Sequence, residues 1–291
     1  MTGAVFAPGF FASAPVHTAL ALGGVVAIVC GIVGVFTVIR GQAFAGEALS
    51  DIGAAGYSAS FLAAVTPIWG LLAAALGAAA AMEMIGIQRA RGRDLATGIV
   101  LGASLGLAAL FLYLDSTLQT GTGTTVTVLF GSLFALNSSL IPAVVALSLI
   151  ATGIVCLLQR PLMLSSLSPD LAAVRGLPLR RLGIAYLAAL ALAVALAALT
   201  IGAILGTALL VGPAATALRL TRRPGLAMLT AAGLGLLAVC AGVVLAYDSF
   251  LWSPRHPWPV SFFVVALVFL FYVLFGSPGP RRTRQPEKGS D

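Results

Sequence analysis

Charges, prolines and polar clusters divide the chain into nine apolar stretches, near residues 17–39, 43–64, 68–88, 95–114, 140–158, 182–200, 202–220, 225–246 and 259–276. Each is close to the roughly 20 mostly apolar residues that a helix needs to cross a bilayer. The pattern predicts an all-α polytopic membrane protein with about nine transmembrane helices, the range being eight to ten. Residues 115–139 open with Asp115, Gln119, Thr120, Thr122, Thr124 and Thr125 and close with LFGSLFALNSS. That segment is too short and mixed to cross alone, so a short helix at the outer surface is expected there. Residues 1–16 lack a positively charged n-region, and the apolar stretch from Thr18 to Ile39 is too long for a signal-peptide core, so it reads as a retained first span. The organisation expected is an extracytoplasmic segment 1–16, one membrane domain 17–276 and a disordered cytoplasmic tail 277–291.

Composition agrees with this pattern. Apolar residues make up 60% of the chain and charged residues 9%, with a mean hydropathy of +1.08; soluble globular domains carry about 25% charged residues. The net charge of +7 does not indicate nucleic-acid binding, because all but one of the sixteen basic residues are arginines, most of them in short segments flanking apolar runs. Alternating the spans puts Arg40, Arg89, Arg91, Arg93, Arg160, Arg175, Arg180, Arg181, Arg219, Arg222, Arg223 and the tail cluster on one side, with only Arg255 on the other. Short cytoplasmic loops carry the Lys/Arg excess, so the N-terminus is expected outside and the C-terminus inside. Trp69, Trp252 and Trp258 then fall at outer helix ends, where an aromatic belt is expected.

Candidate chemistry is sparse. Glu47 and Asp51 in GEALSDIGAAG are four residues apart, on one face of the second span and about one turn inside its cytoplasmic end. An aspartate at a membrane helix centre costs roughly 2.5–3.5 kcal/mol on insertion scales. Two carboxylates on one face therefore imply water, a cation or a partner charge opposite, the alternative being a shallow pair stabilised by the helix dipole. Glu83 is the one other acid expected within a span. In residues 202–225 the pair Gly212–Pro213 interrupts an apolar run, and a kink or break is expected where proline removes a backbone hydrogen bond. Beyond it Arg219, Arg222 and Arg223 read as a cytoplasmic surface element, either a positive-inside loop or a docking site. Ser168-Pro169-Asp170 is positioned to cap a short surface helix ending before Gly176. Glycines at four-residue spacing, Gly98/Gly102/Gly106 and Gly202/Gly206, predict close helix packing. The isolated Cys30, Cys156 and Cys240 read as small buried residues. No phosphate loop, HExxH or GxSxG sequence is present, and His17 and His256 both fall near the outer surface. The chain is not expected to be an enzyme, so any ATP hydrolysis belongs to a separate chain.

Four blocks in order resemble the metal-cation branch of the ABC importer permeases, the zinc, manganese and iron family. They are GVFTVIRGQAFAGEALSDIGAAG, LFGSLFALNSS, SPDLAAVRGLPLRRLG and GAILGTALLVGPAATALRL. The resemblance implies a permease in the cell membrane, working as a homodimer or pseudo-dimer with two cytoplasmic ATPase subunits and an extracytoplasmic metal-binding protein. It carries no permanent cofactor, and ATP is bound by the partner subunit. The resemblance further implies that the segment after Pro213, about Ala214 to Leu226 and including Ala215 and Thr216, is the coupling helix. The family usually pairs an aspartate with a histidine where this chain has Glu47 and Asp51. Two carboxylates still suit a divalent ion, and losing imidazole shifts preference toward harder ions such as manganese. The reading is an ATP-driven importer permease for zinc or manganese. The alternatives are a secondary transporter or channel for a cation, and a permease for an iron chelate.

Overall fold

The computed structural model describes residues 10, 13–63, 65–85, 93–118, 128–131, 133–252 and 258–275. The helices are α1 (Ala14–Ile39), α2 (Ala43–Leu62), α3 (Pro67–Ile85), α4 (Arg93–Leu118), α5 (Ile141–Leu167), the single-turn-and-a-half α6 (Pro169–Val174), α7 (Leu179–Ile201), α8 (Ala203–Leu220), α9 (Pro224–Trp252) and α10 (Val260–Phe275). No strand occurs among the described residues, so the chain is all-α. The nine long helices fall on the nine stretches read from the sequence. Seven of them, α1, α3, α4, α5, α7, α8 and α9, are long and apolar enough to cross a membrane. The side chains of the Arg89/Arg91/Arg93 cluster, Arg255, His256 and the tail 277–291 lie outside the described residues.

The core is built on α1 and α7. A helix that is apolar all round belongs in an interior, and α7 is buried without interruption from Ala189 to Ile201. α1 packs against α9, α8, α5 and α7, while α2 is held between α3, α4, α7 and α8. Lipid tails are as apolar as leucine side chains, so close backbone approach supplies much of the helix association. A Cβ at Gly34 of α1 would sit 1.9 Å from the Leu210 carbonyl oxygen, and one at Gly31 would meet the Ala231–Ala232 backbone of α9. In contrast, Gly98, Gly102 and Gly106 have open space where a Cβ would be. That stripe does not pack within this chain, because α4 turns it away from α2.

Several helices overrun their hydrophobic stretches. α5 continues from the expected 158 to Leu167, α4 from 114 to Leu118, and α9 from 246 to Trp252. Helical hydrogen bonding does not stop where hydropathy falls, and local hydroxyls support the extension: Ser165 and Ser166 both donate to the Leu162 carbonyl. Two corrections follow. Residues 115–118 belong to α4 rather than to a separate surface helix, with 119–127 outside the described residues and only a helical turn at 128–130. Asp115 and Asp248 are therefore buried acids within helices, so Glu83 is not the only one beside the α2 pair. Of the cysteines, Cys30 is buried as expected, Cys240 is half-buried and Cys156 is exposed.

α1 ends in a tight C-terminal motif. Gly41, with φ +63, donates to Val38 O, and Gln42 donates to Thr37 O at 2.9 Å, the pairing that a left-handed residue after the cap permits. Arg40 stands over the Tyr186 ring, 4.9 Å from its centroid, and donates to Ser165 and Ser166 of α5 at 3.3 Å. Tyr186 in turn donates to Thr37 Oγ1 at 2.9 Å. α6 is present as read, ending before Gly176 (φ +71), although Ser168 makes no side-chain cap.

Close packing at Gly34 gives the first prediction. Gly34→Val should lower the melting temperature of the detergent-purified protein by a margin equivalent to about 1–3 kcal/mol of overpacking. Gly102→Val should leave it nearly unchanged.

Candidate functional site

The two acids of the α2 motif sit deeper than their place on the helix implies. A Cβ at Gly46 would touch Leu210 Cδ2 at 3.2 Å and lie 3.9 Å from Leu190 Cδ1 and Val194 Cγ2. Leu190 and Leu210 are near the midpoints of α7 and α8, so α2 starts at mid-height of the bundle. Ser50, one turn on, donates to the carbonyl oxygen of Ala203, the first residue of α8, at 2.9 Å. Glu47 and Asp51 thus lie between the middle of α8 and its N-terminal junction with α7. The shallow alternative fits poorly with that depth. Asp51 is 6% exposed, and its Oδ2 has no hydrogen-bond partner. Glu47 is half-buried, and Phe44, one turn before it, is 68% exposed, so one side of α2 at this level is left open by the chain. Among the described residues no three His, Cys, Asp or Glu side chains gather as a metal site.

The junction beside this pair is a contact between two glycines. Gly202 alone separates α7 from α8 and has φ +103, a conformation open to residues without a Cβ. A Cβ there would lie 2.4 Å from Leu129 O and 2.5 Å from Gly131 N, and one on Gly131 (φ +74) would lie 2.5 Å from Thr200 O. The Leu-Phe-Gly block therefore lies backbone to backbone on the end of α7. Ser261 at the start of α10 closes the cluster by donating to Phe130 O at 2.7 Å. A cavity of about 230 Å³ lies next to it, bounded by Phe130, Phe134, Thr200, Trp258 and Ser261 among others. Three of the blocks quoted above thus meet in space through Ser50, Leu129–Gly131 and Gly202–Ala203. Sequence reading placed Gly202 in a packing stripe and missed its role as the junction; the polar-free Thr-Ile-Gly-Ala string gives no turn signal beyond the glycine itself.

The break expected at Gly212–Pro213 is not there. α8 runs unbroken from Ala203 to Leu220 through Pro213, and the interruption lies at Gly202. Gly212 instead admits a neighbour, since a Cβ on it would lie 2.1 Å from Val268 Cγ1 of α10. Below Pro213, Thr216 donates to the Gly212 carbonyl at 2.9 Å, so the helix keeps its hydrogen bonding there. The first residues of the expected coupling element, Ala214, Ala215 and Thr216, are part of this helix, with Ala214 and Thr216 fully buried. Arg219 is exposed but stacks its guanidinium on Tyr272, 4.1 Å from the ring centroid, and bonds the Tyr272 hydroxyl. Only the three-residue link Thr221–Arg223 leaves the bundle, with Arg222 and Arg223 exposed. The Arg223 N–H donates to Thr221 Oγ1 at 3.3 Å.

A bundle of long apolar helices with a buried carboxylate pair at mid-height defines a polytopic membrane protein built to handle polar cargo. The chain belongs to the ABC 3 transport family, whose model matches residues 14–276. It is 30% identical over 270 residues to a protein of Listeria monocytogenes named manganese transport system membrane protein MntC, covering 92% of this chain and 94% of that one. It is 28% identical over 234 residues to a Haemophilus influenzae protein named high-affinity zinc uptake system membrane protein ZnuB, covering 79% and 88%. The fold superposes on a chain of PsaBC from Streptococcus pneumoniae, solved in complex with Fab, with a TM-score of 0.75, 22% identity and 94% of both chains covered.

The glycine contact is testable directly. Gly202→Ala should prevent accumulation of folded protein, or lower its melting temperature strongly, because both the backbone conformation and the space at that position exclude a methyl group. Ser50→Ala, which leaves the Ala203 carbonyl without its donor, should cost about 1–2 kcal/mol by the same measurement.

Proposed function

We propose that the chain is the permease subunit of an ATP-driven importer for a divalent metal ion, manganese or zinc, in the cell membrane. The observation that carries this reading is the depth of Glu47 and Asp51 beside the open side of α2, in a family whose relatives bear manganese and zinc transport names. The membrane domain spans about residues 17–276, in nine spans with the N-terminus outside and the C-terminus in the cytoplasm. Its partners are two cytoplasmic ATPase subunits, an extracytoplasmic metal-binding protein and a second copy of the chain. Charge at this depth is expensive unless compensated, and a second copy placed across the open side of α2 brings a second Glu47/Asp51 pair to the same ion. Carboxylates favour manganese over softer ions, and a transit site of this kind must hold its ion weakly enough to release it.

Coupling follows from the continuity of α8. The exposed link with Arg222 and Arg223 is the part offered to the ATPase, and α8 connects it as one rod to the Ala203 carbonyl that Ser50 holds. Displacement of the link then moves the junction next to Asp51. Gly212 and Arg219 tie the rod to α10 rather than to a partner, so the docking contact falls on Arg222 and Arg223.

In proteoliposomes holding this chain with its ATPase and binding protein, the pair Glu47→Gln and Asp51→Asn should lower ATP-dependent manganese or zinc uptake at least about tenfold. The subunits should still co-purify. Unchanged uptake would remove these residues from the pathway. Arg222→Glu with Arg223→Glu should instead reduce the ATPase recovered with the permease while its melting temperature holds, and full recovery with normal uptake would refute the docking assignment.

A further inference from the structure

α2 carries polar groups beyond the carboxylate pair. Ser58 lies seven residues past Asp51, two turns on the same face and about 10 Å along the axis. It is fully buried, and its Oγ has no hydrogen-bond partner. Tyr57 beside it is close enough to Asp115 of α4 to feel that charge, which brings the two helices' polar groups together near one end of the bundle. Asp115 is 0% exposed, and neither of its carboxylate oxygens has a hydrogen-bond partner. This end is opposite the arginines: Ala198 and Leu199, near the C-terminal end of α7, line a small space with Tyr57, whereas Arg40 stands at Tyr186, toward the start of α7.

An orphaned, buried carboxylate is among the costliest groups a helical bundle can hold. Removing a carboxylate from water costs several kcal/mol unless a cation or hydrogen bonds replace the lost hydration. Buried polar groups in native proteins are satisfied almost without exception, yet Asp115 and Ser58 present three unsatisfied oxygens on the two helices α2 and α4. No arginine, lysine or histidine ion pair with Asp115 occurs among the described residues. The group missing from this place is one that carries positive charge and accepts oxygen ligands.

We propose that Asp115, with the hydroxyl of Ser58 and that of Tyr57, forms a second cation station on the pathway, nearer the outer end of α2 than Glu47 and Asp51. It rests on the reading of the chain as a divalent-ion permease. One carboxylate and two hydroxyls form a hard oxygen set that suits manganese better than zinc. With a single formal charge the station is weaker than the carboxylate pair deeper in the bundle, so an ion entering from outside meets increasing negative charge as it moves inward. Two adjacent sites also allow an incoming ion to promote release of the one ahead.

The test is equilibrium binding of radiolabelled manganese to the full chain in nanodiscs with its ATPase. Wild type should bind in two classes. Asp115→Asn should remove the weaker class, or weaken it at least about tenfold, and keep the tighter one. Glu47→Gln with Asp51→Asn should do the reverse. Asp115→Leu, which replaces the acid with an apolar group of similar bulk, serves as a second variant: it should raise the melting temperature by relieving an uncompensated charge while also losing the weaker class. If wild type binds manganese and both Asp115 variants bind it with the same stoichiometry and affinity, the station is refuted while the carboxylate pair stands. If wild type binds no manganese or zinc at all, the permease reading fails and the station fails with it.

Discussion

The backbone contact between Gly131 and Gly202 sets the geometry of the bundle's outer half. With a single residue to reverse direction, the chain can pass from α7 to α8 only through a left-handed conformation, and glycine adopts it without steric cost. The same absence of side chains lets Leu129–Gly131 lie within van der Waals reach of the junction. That contact fixes where α8 begins, and hence where the Ala203 carbonyl points. Ser50 takes that carbonyl as its acceptor, which sets the depth of α2 and of the acids on either side of Ser50. Phe130 then offers its own carbonyl to Ser261 and positions the start of α10.

Placing α2 this deep has an electrostatic consequence. Its N-terminus, with unsatisfied N–H groups and the positive end of the helix dipole, opens at the mid-height of α7 and α8 instead of at a surface. The dipole favours negative charge in the first turns, which eases the burial of Glu47 more than that of Asp51. Asp51, a turn further in and 6% exposed, keeps an unpartnered oxygen. The dipole effect amounts to roughly 0.3–1 kcal/mol near a terminus, less than the cost of a charge at a membrane helix centre, so it cannot by itself account for two acids there. A compensating cation can.

Much of this architecture was legible in the sequence, because long apolar runs report helices directly and because Glu47 and Asp51 are conspicuous in so apolar a setting. The errors share a cause. Hydropathy marks where a helix meets lipid, whereas backbone hydrogen bonding decides where it ends. Asp115 and Asp248 were therefore assigned to surface segments although α4 and α9 carry them inward. Proline was read by its local effect at 213, yet Gly212 permits α10 to approach and Thr216 bonds to the carbonyl at that turn, so the helix goes on. The real discontinuity, at Gly202, depends on a partner 71 residues earlier, Gly131, and no local signal encodes such a pairing. The depth of α2 was illegible for the same reason, since it is set by side chains of α7 and α8.

The unbroken α8 changes what coupling has to accomplish. A coupling helix separated from the bundle by a proline break would act as a hinged lever, and much of its motion would be absorbed at the hinge. Here the residues after Pro213 are continuous with those before it, and two features fasten them to α10: the close approach at Gly212 and the stacking of Arg219 on Tyr272. Packed interiors are stiff, so α8 and α10 form a pair that moves as a unit when Arg222 and Arg223 are displaced. The far end of that pair holds the Ala203 carbonyl and Ser261, which engage α2 and the Leu-Phe-Gly segment respectively. A shift at the exposed link therefore reaches Ser50, and the acids flanking it, through one rigid element and one hydrogen bond.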